Sequence, residues 1–358
     1  MRTLQIPDSA LLPNLDDEPV LHAGQKSEAK RAQPLLSVRS LSVDCASKNA
    51  EPVKILDRIS LEIPKGHAIG ILGESGCGKT TLARSLLRLL PGNLHFSQGA
   101  IDFRGADILK MSPKELSQVR GAAISLIHQE AAGALHPTMR IGDQVAEILK
   151  AHKRWSRKMC AIQAQAALAE VFAEDSGRIF KSYPHELSGG QRQRVLIAQA
   201  ISCRPSLIIA DEPTASLDLT TQAEIINLLK DLKQRLGMSL ILITHNPAIL
   251  PGLVDRVAVM YAGQIVEEGP LEKIFVSPMH PYTQALMRLR LDRHQTQRSN
   301  PEHRLPFKKD LEATNAITNV GCPYDSRCNA RMPKCSSAAP QEKFVEGSRR
   351  VRCFLYEN

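Results

Sequence analysis

The chain has 358 residues, 43% hydrophobic and 23% charged, the balance of an ordinary soluble globular protein rather than a fibrous or unstructured one. Its longest apolar runs, "AIGIL" at 68–72 and "SLILIT" at 239–244, fall well short of the roughly 18 to 20 residues that span a bilayer, and no signal-peptide core follows the start. The net charge is +9, and residues 286–358 hold 14 Lys/Arg against 8 Asp/Glu, so most of the surplus belongs to one region.

This length allows one large core and a smaller appendage. Residues 1–34 mix Pro, Asp, Glu, Lys and Gln without a helix or strand period and read as a disordered extension. A main domain is expected over 35–285, opening on strands at "LLSVRSLSV" and "ISLEI", and a C-terminal region over 286–358. Short β-branched runs then alternate with helical patterns: "HAIGILG" with "KTTLARSLLRLL", "SLIIAD" with "TTQAEIINLLKDLKQRLG", "SLILIT" with "NPAILPGL". That rhythm predicts an α/β fold with a largely parallel sheet. Between the first two units, "SPKE" at 112–115 marks a capped helix start, and the Ala-rich pattern over 158–174 predicts a helix within an inserted helical subdomain at about 130–200.

"GESGCGKTT" at 73–81 has the spacing G-x-x-x-x-G-K-[ST] between a predicted strand and a predicted helix. Gly73, Gly76 and Gly78 let the backbone turn its N–H groups towards phosphates; Lys79 reaches the β and γ phosphates, and Thr80 ligates Mg²⁺. Glu74, Ser75, Cys77 and Thr81 complete the ATP-binding stretch. "LIIADEP" at 207–213 ends a strand in paired acids: Asp211 for the Mg²⁺ shell, Glu212 free to orient and deprotonate an attacking water. "LSGGQRQRV" at 187–195 opens a helix whose Ser188, Gly189 and Gly190 offer a second anion-binding surface, or a simple cap.

These motifs in this order resemble the ATP-binding subunits of ABC transporters over about 35–285. The resemblance implies a P-loop NTPase (RecA-like) core with an antiparallel β subdomain and the inserted helical subdomain. It also implies that Ser188 to Gln191 close on ATP held by a second, facing subunit. Gln129 in "LIHQE" becomes the loop glutamine at the Mg²⁺ site, Asp218 in "ASLD" part of the dimer-crossing loop, and His245 in "ITHN" the switch histidine. Each has a plainer reading as well: a polar strand end, a helix N-cap, a locally bonded strand terminus. "LHPTMRIGDQVAEIL" and "SPMHPYTQALM" narrow the resemblance to the oligopeptide, dipeptide and nickel importers. That family implies two ATPases, two permease subunits and an extracytoplasmic substrate-binding protein at the cytoplasmic face of the inner membrane. No nucleic acid is expected; a nucleic-acid-linked ABC ATPase and a non-hydrolysing regulatory subunit are the alternatives.

No Phe, Tyr or Trp precedes Phe96, so the aromatic that stacks on adenine in this family has no counterpart where Asp44 and Cys45 stand. Cys322, Cys328, Cys335 and Cys353, spaced C-x5-C-x6-C-x17-C, depart from the short knuckle of zinc sites. Four thiolates can still hold a [4Fe–4S] cluster or Zn²⁺, or remain plain thiols. The importer resemblance implies the cluster and, with it, a small Cys-rich C-terminal domain. Arg327, Arg331, Lys334, Arg349, Arg350 and Arg352 are the expected counter-charges.

Overall fold

The computed structural model describes residues 33–46, 52–128, 131–295, 320–346 and 348–357. Strands are β1 (Leu36–Cys45), β2 (Val53–Ile63), β3 (Ala68–Leu72), β4 (Leu94–Phe103), β5 (Ala106–Asp107), β6 (Ile124–Ile127), β7 (Leu207–Asp211), β8 (Ser239–Thr244), β9 (Arg256–Tyr261), β10 (Gln264–Pro270), β11 (Glu342–Val345) and β12 (Arg349–Arg352). They form an antiparallel sheet in the order β2-β1-β4-β5 and a larger one in the order β11-β12-β10-β9-β3-β8-β7-β6. β6, β7, β8, β3 and β9 run parallel, each in register with its neighbour.

The parallel strands are continuous apolar runs because both their faces are covered. Along β3, Ala68 and Leu72 join one apolar cluster while Ile69 and Ile71 join the other; Leu240 and Leu242 of β8 divide from Ile241 and Ile243 in the same way. The first cluster contains the helices Ile141–His152, Arg157–Ala169 and Gly189–Ile201, and the second contains the small antiparallel sheet. Among the described residues no helix is long and apolar enough to cross a membrane.

Local signals gave local structure. Ser112 accepts the Glu115 N–H and Glu115 accepts the Ser112 N–H, with Pro113 in the first turn. The helix Leu219–Leu236 starts on Asp218 and stops at Gly237 in the left-handed region, φ 61°. Three helices are shorter than their patterns, among them Lys79–Ser85, which stops five residues short of the end of "KTTLARSLLRLL". The helix expected over 158–174 ends at Ala169, where the Glu170 carboxylate is drawn into ion pairs with Arg204 and Arg235. "NPAILPGL" makes only a 3₁₀ turn at Pro247–Ile249, since Pro251 cannot continue a helix and Gly252 turns to φ +75°.

The C-terminal region expected over 286–358 extends the core sheet: β12 pairs antiparallel with β10 and β11 with β12, so its described residues belong to one compact unit with the core. Arg349, 2% exposed, pairs with the fully buried Glu267 at 2.7 Å, and Glu267 also accepts the N–H groups of Met279 and His280. Most of the expected counter-charges to the cysteines have other partners: Arg350 pairs with Glu268 and Glu342, Arg331 with Asp325, and Lys334 stands over the Phe354 ring. Arg327 pairs with Glu74 and Arg352 donates to the Arg58 carbonyl. Arg327, Arg349, Arg350 and Arg352 thus dock the tail on the rest of the chain.

Candidate nucleotide site

β3 ends at Leu72 and the helix Lys79–Ser85 begins six residues after Gly73, so the intervening loop wraps the helix N-terminus. Gly73 admits no side chain: a Cβ there would lie 2.4 Å from the Met260 carbonyl oxygen and 2.7 Å from Cys77 Sγ. Gly78 precedes the helix at φ 102°, which L side chains rarely adopt. Lys79 is 5% exposed, and its Nζ donates to the carbonyls of Gly73 (2.9 Å) and Glu74 (2.8 Å). The ammonium is therefore drawn back across the loop by groups that phosphate oxygens can replace. Ser75 and Gly76 are exposed at the tip, and Thr81 is half-buried with its carbonyl accepting from Ser85. Cys77 is buried, which pushes its thiol pKa up; it fills space.

β7 delivers the acids to the same end of the sheet. Asp211 is buried, and desolvation raises its pKa against a hydrogen bond from Thr80 that lowers it. Its Oδ1 is buried without a hydrogen-bond partner. A buried carboxylate oxygen lacking a partner, next to a threonine hydroxyl, fits the all-oxygen ligation that Mg²⁺ prefers. Glu212 has φ 46°, a left-handed conformation uncommon for a residue with a side chain, and its N–H donates to the Ile243 carbonyl of β8. That turn places Glu212 Oε1 3.9 Å from Lys79 Nζ and Oε2 3.0 Å from His245 Nδ1. Register explains the meeting: Asp211 lies opposite Ile243 in the parallel pair, so the residues just beyond both strands are neighbours.

Ser188 and Gln191 form a reciprocal cap at the start of Gly189–Ile201, leaving Ser188 and Gly189 exposed and Gly190 half-exposed. Asp218 accepts from Thr221 as an N-cap. Both plainer readings are thus realised within this single chain, and among the described residues neither group bonds to the phosphate loop. Gln129 lies outside the described residues. Tyr282 has no assigned role in the sequence reading, yet its hydroxyl accepts the Glu74 N–H at 3.0 Å. The sole signal was its place in "SPMHPYTQALM", 208 residues away from Glu74 in the chain.

The four tail cysteines are free thiols gathered into mutual electrostatic range. Burial, then the neighbouring thiols, push Cys322 up to about 11, and burial chiefly raises Cys328 and Cys353. The backbone N–H groups of Tyr324, Ala330 and Leu355 oppose part of that rise at Cys322, Cys328 and Cys353, and Cys335 Sγ accepts the Met332 N–H at 3.4 Å. Four sulfur donors brought together in one segment are the donor set of a four-thiolate centre. Among the described residues, however, no group of three or more His, Cys, Asp or Glu stands in a metal-holding arrangement.

Parallel strands ending in a phosphate loop, paired acids and a histidine define a P-loop nucleotide hydrolase. A profile described as "ABC transporter" matches residues 56–215, and one described as "Oligopeptide/dipeptide transporter, C-terminal region" matches 266–335. The dipeptide transport ATP-binding protein DppD of Bacillus subtilis is 38% identical over 328 residues, covering 91% of this chain and 96% of that one. The oligopeptide transport ATP-binding protein OppD of Escherichia coli is 38% identical over 331 residues, covering 91% and 94%. Among solved structures, the dimeric ATP-binding cassette MJ0796 in a post-hydrolysis state with ADP and Pi superposes with TM-score 0.59 at 26% identity, covering 66% of this chain and 98% of that one. CbiO1 from Clostridium perfringens, part of an ABC transporter complex, gives 0.59 at 26% identity, covering 74% and 99%. The chain belongs to the family of ATP-binding proteins of the oligopeptide and dipeptide ABC transporters, ATPases coupled to transport.

Proposed function

We propose that the chain hydrolyses ATP to power uptake of peptides or similar small solutes. It works with a second ATPase subunit, the same or related, two permease subunits and an extracytoplasmic substrate-binding protein, at the cytoplasmic face of the inner membrane. The observation that carries the hydrolytic reading is the Glu212 carboxylate held between Lys79 and His245. A non-hydrolysing regulatory subunit would need none of that constellation.

In this reading Gly73 to Thr81 cradle the phosphates and Lys79 exchanges two loop carbonyls for phosphate oxygens. Glu212 orients the attacking water and takes its proton as the bond to the γ phosphorus forms; His245 keeps the carboxylate in place. Thr80, Asp211 and, by resemblance, Gln129 hold Mg²⁺, which when bound offsets negative charge on the phosphates. Ser188, Gly189, Gly190 and Gln191, with Asp218, face the nucleotide of the opposing subunit. Support for that arrangement comes from their exposure at a helix N-terminus and from the MJ0796 cassette having been solved as a dimer.

The four cysteines hold a [4Fe–4S] cluster, with Zn²⁺ the alternative. The support is the importer resemblance and the four thiols lying within electrostatic range of one another. When bound, such a centre supplies a staple for the tail or a one-electron redox group. An absorption band at about 400 nm that chelation removes identifies the cluster, and colourless, iron-free protein prepared without air rejects it. The transport reading is tested by reconstituting the complex: ATP turnover rises with a peptide-loaded binding protein, and turnover indifferent to any peptide rejects peptide cargo.

A further inference from the structure

Glu74 is the second residue of the phosphate loop and is held from three directions. Its N–H donates to Tyr282, its carbonyl accepts from Lys79, and its carboxylate accepts two parallel bonds from Arg327: Nη1 to Oε2 and Nη2 to Oε1, both 3.0 Å. Arg327 immediately precedes Cys328, so a residue of the four-cysteine segment grips the ATP site across 253 positions of sequence.

The pair is partly sheltered, with side-chain exposures of 35% for Arg327 and 27% for Glu74. The guanidinium carbon lies 5.7 Å from the ring centroids of both Tyr261 and Tyr324, and Nη1 reaches the Tyr261 hydroxyl at 3.4 Å. Tyr261, Tyr282 and Tyr324 pack on one another at centroid distances of 4.7 to 5.4 Å. The hydrogen bonds to Glu74 push the Arg327 pKa up. A planar fork on a carboxylate, braced by rings, fixes both position and orientation.

A carboxylate is an awkward occupant of a loop that receives a polyanion. Glu74 is the sole acidic residue between Gly73 and Thr81, and unpaired it would oppose the incoming phosphates. When Lys79 turns to phosphate, the Glu74 backbone keeps its bonds to the Cys77 N–H and the Tyr282 hydroxyl, while the carboxylate keeps Arg327. We propose that Arg327 is a positioning residue of the ATP site: it cancels the Glu74 charge and holds that carboxylate away from the incoming phosphates, without touching nucleotide.

This rests on the ATP-site reading, and the two are separable because wild-type full-length chain must first bind and hydrolyse MgATP for that reading to stand. Arg327→Gln should then raise KM for ATP about tenfold while kcat at saturation stays within about twofold. The double variant Glu74→Gln/Arg327→Gln should bring KM back to within about threefold of wild type, because the uncompensated carboxylate is gone. A wild-type KM in Arg327→Gln overturns the proposal. So does a double variant as impaired as the single, which would trace the loss to the fold of the tail instead of to Glu74.

Discussion

The Glu212 carboxylate lies 3.0 Å from His245 Nδ1 on one side and 3.9 Å from Lys79 Nζ on the other, residues contributed by the turns after β7 and β8 and by the start of the helix Lys79–Ser85. An amide in place of the carboxylate keeps the shape and removes the base. Glu212→Gln should therefore lower ATP turnover by about 10² to 10⁴ while MgATP still binds, and the variant should elute as a nucleotide-dependent dimer. Normal turnover in that variant would remove Glu212 from catalysis.

Lys79→Ala should act earlier, on binding. The buried ammonium bonds two loop carbonyls, and its loss should weaken MgATP affinity at least about tenfold, read by calorimetric titration.

The Arg349–Glu267 pair predicts a stability effect unrelated to nucleotide. Arg349→Met leaves a fully buried carboxylate short of its cationic partner, which should cost about 3 to 5 kcal/mol in denaturant unfolding. A loss below about 1 kcal/mol would mean that the N–H groups of Met279 and His280 satisfy Glu267 alone.

His280 is buried, and its Nδ1 accepts the Tyr282 N–H, so burial lowers its pKa to about 4. The unfolded chain takes up that proton near pH 6.5, the folded chain only near 4. Its contribution is therefore full above about pH 6.5 and falls as pH drops, by roughly 2 to 4 kcal/mol at pH 4. His280→Asn keeps an acceptor for the Tyr282 N–H without the titration and should flatten that part of the stability–pH curve.

The absence of an aromatic before Phe96 predicts weak base selectivity. Phe96 itself lies opposite Val43 and packs against the apolar cluster of the small sheet. ATP and GTP should compete for the site within about fivefold in a displacement titration, since stacking on one ring is worth about 1 to 3 kcal/mol. A strong preference for adenine would show another group reading the base.

Much of the site was legible because its bonds are short in sequence. The loop at Gly73 to Lys79 joins a strand to the next helix, and the caps at Ser112, Ser188 and Asp218 each bond three residues on. Helix ends were less legible: the pattern over 158–174 kept its period past Ala169, and only the ion pairs of Glu170 with Arg204 and Arg235 mark the stop.

By itself the sequence determined the strand–loop–helix of the candidate phosphate loop, the acid pair at a strand end and the family order of the motifs, all consequences of local backbone geometry and side-chain periodicity. Only the tertiary structure decided that Glu212 meets His245 across parallel strands, that β12 joins β10 with Arg349 on Glu267, and that Arg327 grips Glu74. Those contacts depend on which strands lie side by side and in what register. Burial of both sheet faces fixes that collectively, and no residue records it alone.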